Sequence, residues 1–148
     1  MIDDLYSSDV LRLAADIPHI GRLETPDASV RRVSRLCGSE LELDLVLKDD
    51  VVTDHAIRVK ACALGQASAA VLSANLRGAR LTEIEQARDD LRAMLKSDGP
   101  VPEGRFAELA ALEGARDYPA RHQSVMLAFE AAVEAVTTAT ETTTRLTG

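Results

Sequence analysis

The sequence predicts an α+β fold, a small antiparallel sheet of about three strands packed by a run of helices. Two observations carry this reading. Leu41, Leu43, Leu45 and Leu47 alternate with Glu40, Glu42, Asp44 and Lys48, the period of a half-buried strand. From Cys62 onward, apolar residues recur three and four apart, the spacing of helices. No internal repeat or break in composition divides the chain, so residues 1–136 are expected to form one domain, followed by a flexible tail over 137–148.

The elements follow in order. Residues 3–16 read as a helix with Leu5, Val10, Leu11 and Leu13 on its apolar face, ended by Pro18, Gly21, Pro26 and Asp27. Residues 29–36 read as a strand whose alternation is interrupted by Arg31, Arg32 and Arg35. After the leucine strand, Asp49-Asp50 makes a two-residue turn into the β-branched run 51–60, a hairpin. An Ala-rich helix begins near Cys62, carries Leu64, Ala67, Val71 and Ala74, and stops at Gly78. Thr82-Glu83-Ile84-Glu85 reads as a capping box that opens a helix bearing Ile84, Ala87, Leu91 and Met94. Pro100 and Pro102 mark a loop over 97–104, and a short helix surrounds Phe106, Leu109 and Leu112. Pro119 suits the first position of a long last helix carrying Val125, Ala128, Phe129, Ala132 and Val136. The Thr-rich residues 137–148 have only Leu146 to anchor them and are expected to fray.

Composition excludes some classes of function. With 17 basic and 24 acidic residues the net charge is −7, which argues against a broad grip on nucleic acid or anionic lipid. Asp3 and Asp4 stand where a signal peptide would carry basic residues, and no apolar run approaches membrane-spanning length. A cytoplasmic location is therefore expected. There the two cysteines are read as thiols, ligands or redox groups, or as small buried hydrophobes, rather than a structural disulfide.

Counting outward from the Asp49-Asp50 turn sets Cys37 opposite Cys62. Directly opposed residues hold their Cβ atoms roughly 4.5–5.5 Å apart, a spacing that suits two thiolates on one metal ion. Cys62 also stands at a helix start, where unpaired amides favour a thiolate. Gly38 leaves the backbone open to close approach.

Cys37-Gly38-Ser39 ahead of the leucine strand, and Ala61-Cys62-Ala63-Leu64-Gly65-Gln66-Ala67-Ser68 after the next, resemble the first and second cysteine segments of the NifU/IscU/SufU iron–sulfur scaffold family. Leu5-Tyr6 and Pro18-His19-Ile20-Gly21 are similar to that family's opening helix and Pro-x-x-Gly turn. Asn75-Leu76-Arg77-Gly78 with Leu81 to Ala87, and Tyr118-Pro119-Ala120-Arg121-His122-Gln123-Ser124 before Leu127-Ala128-Phe129, resemble its later segments, the last of them its SufU branch. The resemblance spans roughly residues 5–136 and implies a SufE/NifU-like fold. It implies an iron–sulfur cluster, iron or zinc as ligand and a cysteine desulfurase as partner. The sulfur acceptors would be Cys62 or Cys37.

Two of the four family ligand positions carry hydroxyls, Ser39 and Ser124, which bind zinc or iron less well than thiolates or carboxylates. Metal ligands are therefore expected from Cys37, Cys62 and His122, with Glu40 or His55 as a fourth; His19 has no assigned role. A cluster bridged in a homodimer would restore four thiolates. The leading expectation is a non-catalytic scaffold. The alternatives are a structural or regulatory paralogue acting only by protein–protein binding, and a SufU-like sulfurtransferase. Ser124 has no base placed to make it a nucleophile, and Glu83, Glu85, Asp89 and Asp90 read as a solvated face.

Overall fold

The leucine strand is the centre of the sheet, and the turn between it and its hairpin partner has a definite geometry. A computed structural model of the chain describes residues 7–36 and 38–147, the side chains of 142–147 excepted. The expectations for Leu5 and Cys37 lie outside the described residues. Strand β1 (Ala28–Ser34), β2 (Ser39–Lys48) and β3 (Val51–Lys60) make one antiparallel sheet in the order β1-β2-β3. Asp49 and Asp50 both have positive φ, 55° and 64°, as a type I′ hairpin turn requires. Lys48 pairs with Val51 as counted from the sequence. The register then shifts between Val46 and Leu47, leaving Thr53 out of the pairing, so Val46 meets Asp54 and Glu40 meets Lys60.

The bulge keeps Val52 and His55, which differ in parity, both buried. Leu41, Leu43 and Leu45 line the inner face opposite Val59, Ile57 and His55. Asp44, expected on a solvated face, is buried beneath the segment that leads into β1. Its carboxylate accepts from the Leu23 amide and the Ser29 hydroxyl and pairs with Arg58 at 3.0 Å. Burial pushes this carboxyl up, but Arg58, Ser29 and the Leu23 amide outweigh it and hold it below the usual carboxylate range.

Helix α1 spans Ser8–Ala15, with Ser7 as its cap: Ser7 Oγ accepts from the Val10 amide at 3.3 Å, and residues 3–6 of the expected helix lie outside the described residues. Helix α2 (Ala63–Asn75) is apolar and small-sided almost all round and lies at the centre of the helical layer, against α1 and the last helix. Helix α3 (Leu81–Lys96) starts ahead of Thr82. Its cap residue is Arg80, whose amide donates to the Glu83 carboxylate at 3.1 Å, so Glu83 closes the first turn without the Thr82 hydroxyl. Residues Gly104–Asp117 form a 3-10 helix bent at Phe106, in place of a short α-helix. Helix α4 (Pro119–Thr147) begins at Pro119 as expected. It continues through the boundary drawn at 136, and Ala139 is fully buried. No helix among the described residues is long and apolar enough to cross a membrane.

A chain of donors fastens the amino-terminal loop to β3 and α2. Arg77 Nε can only donate, so its 3.3 Å contact makes His55 Nδ1 an acceptor and leaves the ring proton on Nε2. Nε2 donates to Ser73 Oγ at 2.9 Å, and Ser73 donates to the Pro18 carbonyl at 2.6 Å. Beside it, Ile20 bridges Ile57, and the Gly21 amide donates to the Ile57 carbonyl at 3.1 Å. At the other end of β3, Val52 exchanges backbone bonds with Gly78 and Ala79. His55, a possible fourth metal ligand by sequence, therefore has both ring nitrogens bonded within the fold.

Burial, followed by the charges of His19 and Arg77, lowers the His55 pKa from 6.5 to about 4. Between those values the unfolded chain binds a proton that the folded chain excludes. Stability should be full above pH 6.5 and fall by up to about 3 kcal/mol as pH approaches 4. Urea unfolding across that range should show the slope, and His55→Gln should remove most of it.

Candidate functional site

Three of the residues singled out by sequence meet at one end of the sheet. Cys62 is the cap residue of α2, in extended conformation (φ −67°, ψ 170°), where β3 hands over to the helix. Ser124, in the second turn of α4, holds its Oγ 3.5 Å from Cys62 Sγ. Ser39, the first residue of β2, lies 3.0 Å from Ser124, hydroxyl to hydroxyl. Both serines are 1% exposed, whereas the Cys62 thiol is half-buried.

The surroundings explain the convergence. Ser34 and Ser39 are the last pair of β1 and β2, and the Ser34 hydroxyl donates to Gln123 Oε1 at 2.7 Å. The sheet end is thus bonded to α4 one residue before Ser124. Ser68 of α2 donates to the Val125 carbonyl at 2.7 Å, one residue after it. Gly65 lets the two helices approach: a Cβ there would lie 2.5 Å from Ser124 Oγ and 2.8 Å from the Ala61 methyl. Sequence reasoning had no signal for Gln123. The role of Gly65 was also missed; its place at a helix start among small residues is the signal that could have found it.

Burial pushes the Cys62 thiol up, but the Gly65 amide, the Ser124 hydroxyl, the Leu64 amide and the charge of Arg121 together bring it below its ordinary value. The Cys62 thiol is therefore more readily ionised than an ordinary cysteine and is still open to solvent.

The other expected ligands are placed as follows. Cys37 lies outside the described residues. The bulge puts the hairpin count one residue out of step: Lys60 pairs with Glu40, where the count from the turn set it opposite Ser39. The paired strands themselves end at Glu40 and Lys60. Gly38, at φ 69°, donates its amide to the Ser34 carbonyl at 2.8 Å and closes the turn between β1 and β2. His122 is buried rather than solvated, and its Nε2 donates to the carbonyls of Ala115 at 2.9 Å and Arg116 at 3.2 Å. That nitrogen carries a proton, so only Nδ1 could bind a metal. Glu40 is paired with Arg31 at 2.7 Å.

Among the described residues no group of three or more His, Cys, Asp or Glu side chains could hold a metal ion. The described donors at the site are one thiol and two hydroxyls. That set does not fit a tightly held zinc ion or cluster without further thiolates.

The fold and the site define a chain of the iron–sulfur cluster assembly scaffold class. It belongs to the NifU-like N terminal domain family, which it matches over residues 5–125. It is similar to the iron–sulfur cluster assembly scaffold protein IscU of Thermotoga maritima, 26% identical over 132 residues that cover 89% of this chain and 92% of that one. Its fold superposes on a NifU-like protein (N-terminal) from Brucella abortus with a TM-score of 0.92 and 46% identity, covering 95% of this chain and 97% of the other. A protein assigned to the SUF system of iron–sulfur cluster assembly from Fervidobacterium islandicum shares the fold at 19% identity. Its TM-score is 0.82, with 90% of this chain and 98% of that one covered.

Replacing Gly65 by alanine should force α4 away from α2 at Ser124, at a cost of about 1–3 kcal/mol. The same change should raise the accessibility of Cys62 to alkylating reagents. Unaltered urea unfolding together with an unaltered alkylation rate would show that the close approach does not constrain the site.

Proposed function

We propose that this chain takes up sulfur on Cys62 from a cysteine desulfurase and passes it into iron–sulfur cluster assembly. One observation carries the reading: a half-exposed thiol at the amino end of α2, with Ser124 Oγ 3.5 Å from its sulfur. The family and the T. maritima scaffold relative support it.

The transfer is a thiol exchange. The Cys62 thiolate attacks the outer sulfur of a cysteine persulfide on the desulfurase. A new S–S bond forms on Cys62, the donor's S–S bond breaks, and the donor cysteine leaves as thiolate with no net oxidation. The Leu64 and Gly65 amides favour the attacking anion, and the Ser124 hydroxyl, itself held by Ser39, is within reach of the sulfur. Cys37 is the second acceptor and the second thiolate for iron, zinc or a labile cluster, with His122 Nδ1 as a further ligand. A cluster shared between two copies would gain two thiolates from each.

A second reading is favoured by the hydroxyls at Ser39 and Ser124: a paralogue that binds its partners and carries no metal. Two measurements separate them. Incubation with a cysteine desulfurase and cysteine should add sulfur to the peptide that carries Cys62 by mass spectrometry, and Cys62→Ser should take up less sulfur in total than the wild type. Protein purified without chelators should carry iron or zinc that falls in Cys62→Ser. A wild type that gains no sulfur and carries no metal supports the paralogue instead.

A further inference from the structure

The first turns of α4 have a second side, away from the thiol, and there the chain's charge is reversed. A cleft of about 680 Å³ opens between the turn after β1, the last turns of α3 and the start of α4. Arg35, Arg92 and Lys96 line it, and all three are exposed. Among the described residues Arg35 and Lys96 have no carboxylate partner, and Arg92 has only a loose one, Asp89 at 3.8 Å. The one acidic residue lining the cleft, Glu130, does not neutralise it, because its carboxylate is held by Arg32 at 3.1 Å. In a chain of net charge −7 this is a local positive field, and a cleft focuses such a field.

The cleft is linked to the thiol site through neighbouring residues of α4. Gln123 lines it while holding Ser34, and the next residue, Ser124, reaches Cys62. Leu36, on its rim directly before Cys37, is 69% exposed, the highest value among the large apolar side chains described. Met126 forms part of the floor.

We propose that this cleft docks the sulfur-donating partner through an acidic segment, its carboxylates lying among Arg35, Arg92 and Lys96 and an apolar side chain covering Leu36. The inference rests on the reading that Cys62 receives sulfur from a partner protein. Opposite charge accounts for the choice of occupant, since two unpaired cations, Arg35 and Lys96, and the loosely paired Arg92 repel a basic segment and leave a neutral one unrewarded. Docking here would bring the donor to the α4 turn that carries Ser124.

The test compares the wild type with a triple charge reversal, Arg35→Glu, Arg92→Glu and Lys96→Glu. Each is offered two sulfur donors, a cysteine desulfurase with cysteine, and glutathione persulfide, which needs no docking. Sulfur addition from the desulfurase should slow at least tenfold in the triple variant at low salt. In the wild type it should weaken as salt rises from about 0.05 M to about 0.5 M. Addition from glutathione persulfide should be equal in both proteins, and matching urea midpoints should show that the variant is folded. Equal desulfurase rates in both would overturn the docking inference and leave the proposed function standing. A change in the chain's own sedimentation with no change in desulfurase rate would mean that the occupant is a second copy, and would overturn it too. No sulfur addition to either protein from either donor would overturn the proposed function and this inference with it.

Discussion

The site depends on how closely the start of α4 can approach the start of α2. Gly65 is what allows it, because any side chain there would meet the Ser124 hydroxyl and the Ala61 methyl. The approach is fixed from both sides, by Ser34 to Gln123 at the sheet end and by Ser68 to the Val125 carbonyl along the helices. Ser124 is thereby set between Ser39 and Cys62 with almost no freedom to turn away. The position of one small residue in α2 thus determines which atoms face the thiol.

What those atoms are decides the chemistry. A thiolate or carboxylate at positions 39 and 124 would offer a strong bond to a soft or borderline metal. A hydroxyl offers a hydrogen bond, directional and reversible, that can follow a sulfur as its charge and substituents change. The thiol still gains from helix amides and from Arg121, enough to outweigh its partial burial. The described part of the site is therefore better matched to handling sulfur than to retaining a metal.

The inner face of the sheet was legible because leucine alternates along β2, and a period of two has only one structural meaning. The helices were legible from their spacing, and the late start at Pro119 from its locked φ. The bulge was not, because nothing in Val51 to Lys60 marks Thr53 as the residue to be left out, and one extra residue is enough to break a count of opposite partners. Asp44 misled for a different reason: a carboxylate reads as solvated until Arg58, Ser29 and the Leu23 amide are seen around it. The meeting of Ser39, Ser124 and Cys62 followed from family resemblance alone, since these residues come from three elements far apart in the chain. His122 was read as a metal ligand, yet the turn before Pro119 folds back and places two carbonyls over its ring.

The loop contacts along β3 have a consequence for how copies of the chain can meet. An outer strand normally presents a ladder of unpaired amides and carbonyls that invites addition of a foreign strand. On β3 that ladder is occupied near both ends, by Ile20 and Gly21 at Ile57 and by Gly78 and Ala79 at Val52. The opposite border, β1, is seven residues long and carries Arg31 and Arg32, with Arg35 just past its end. Sheet-to-sheet fusion between molecules is thereby discouraged on both margins, and any pairing of two copies is left to surfaces made by side chains.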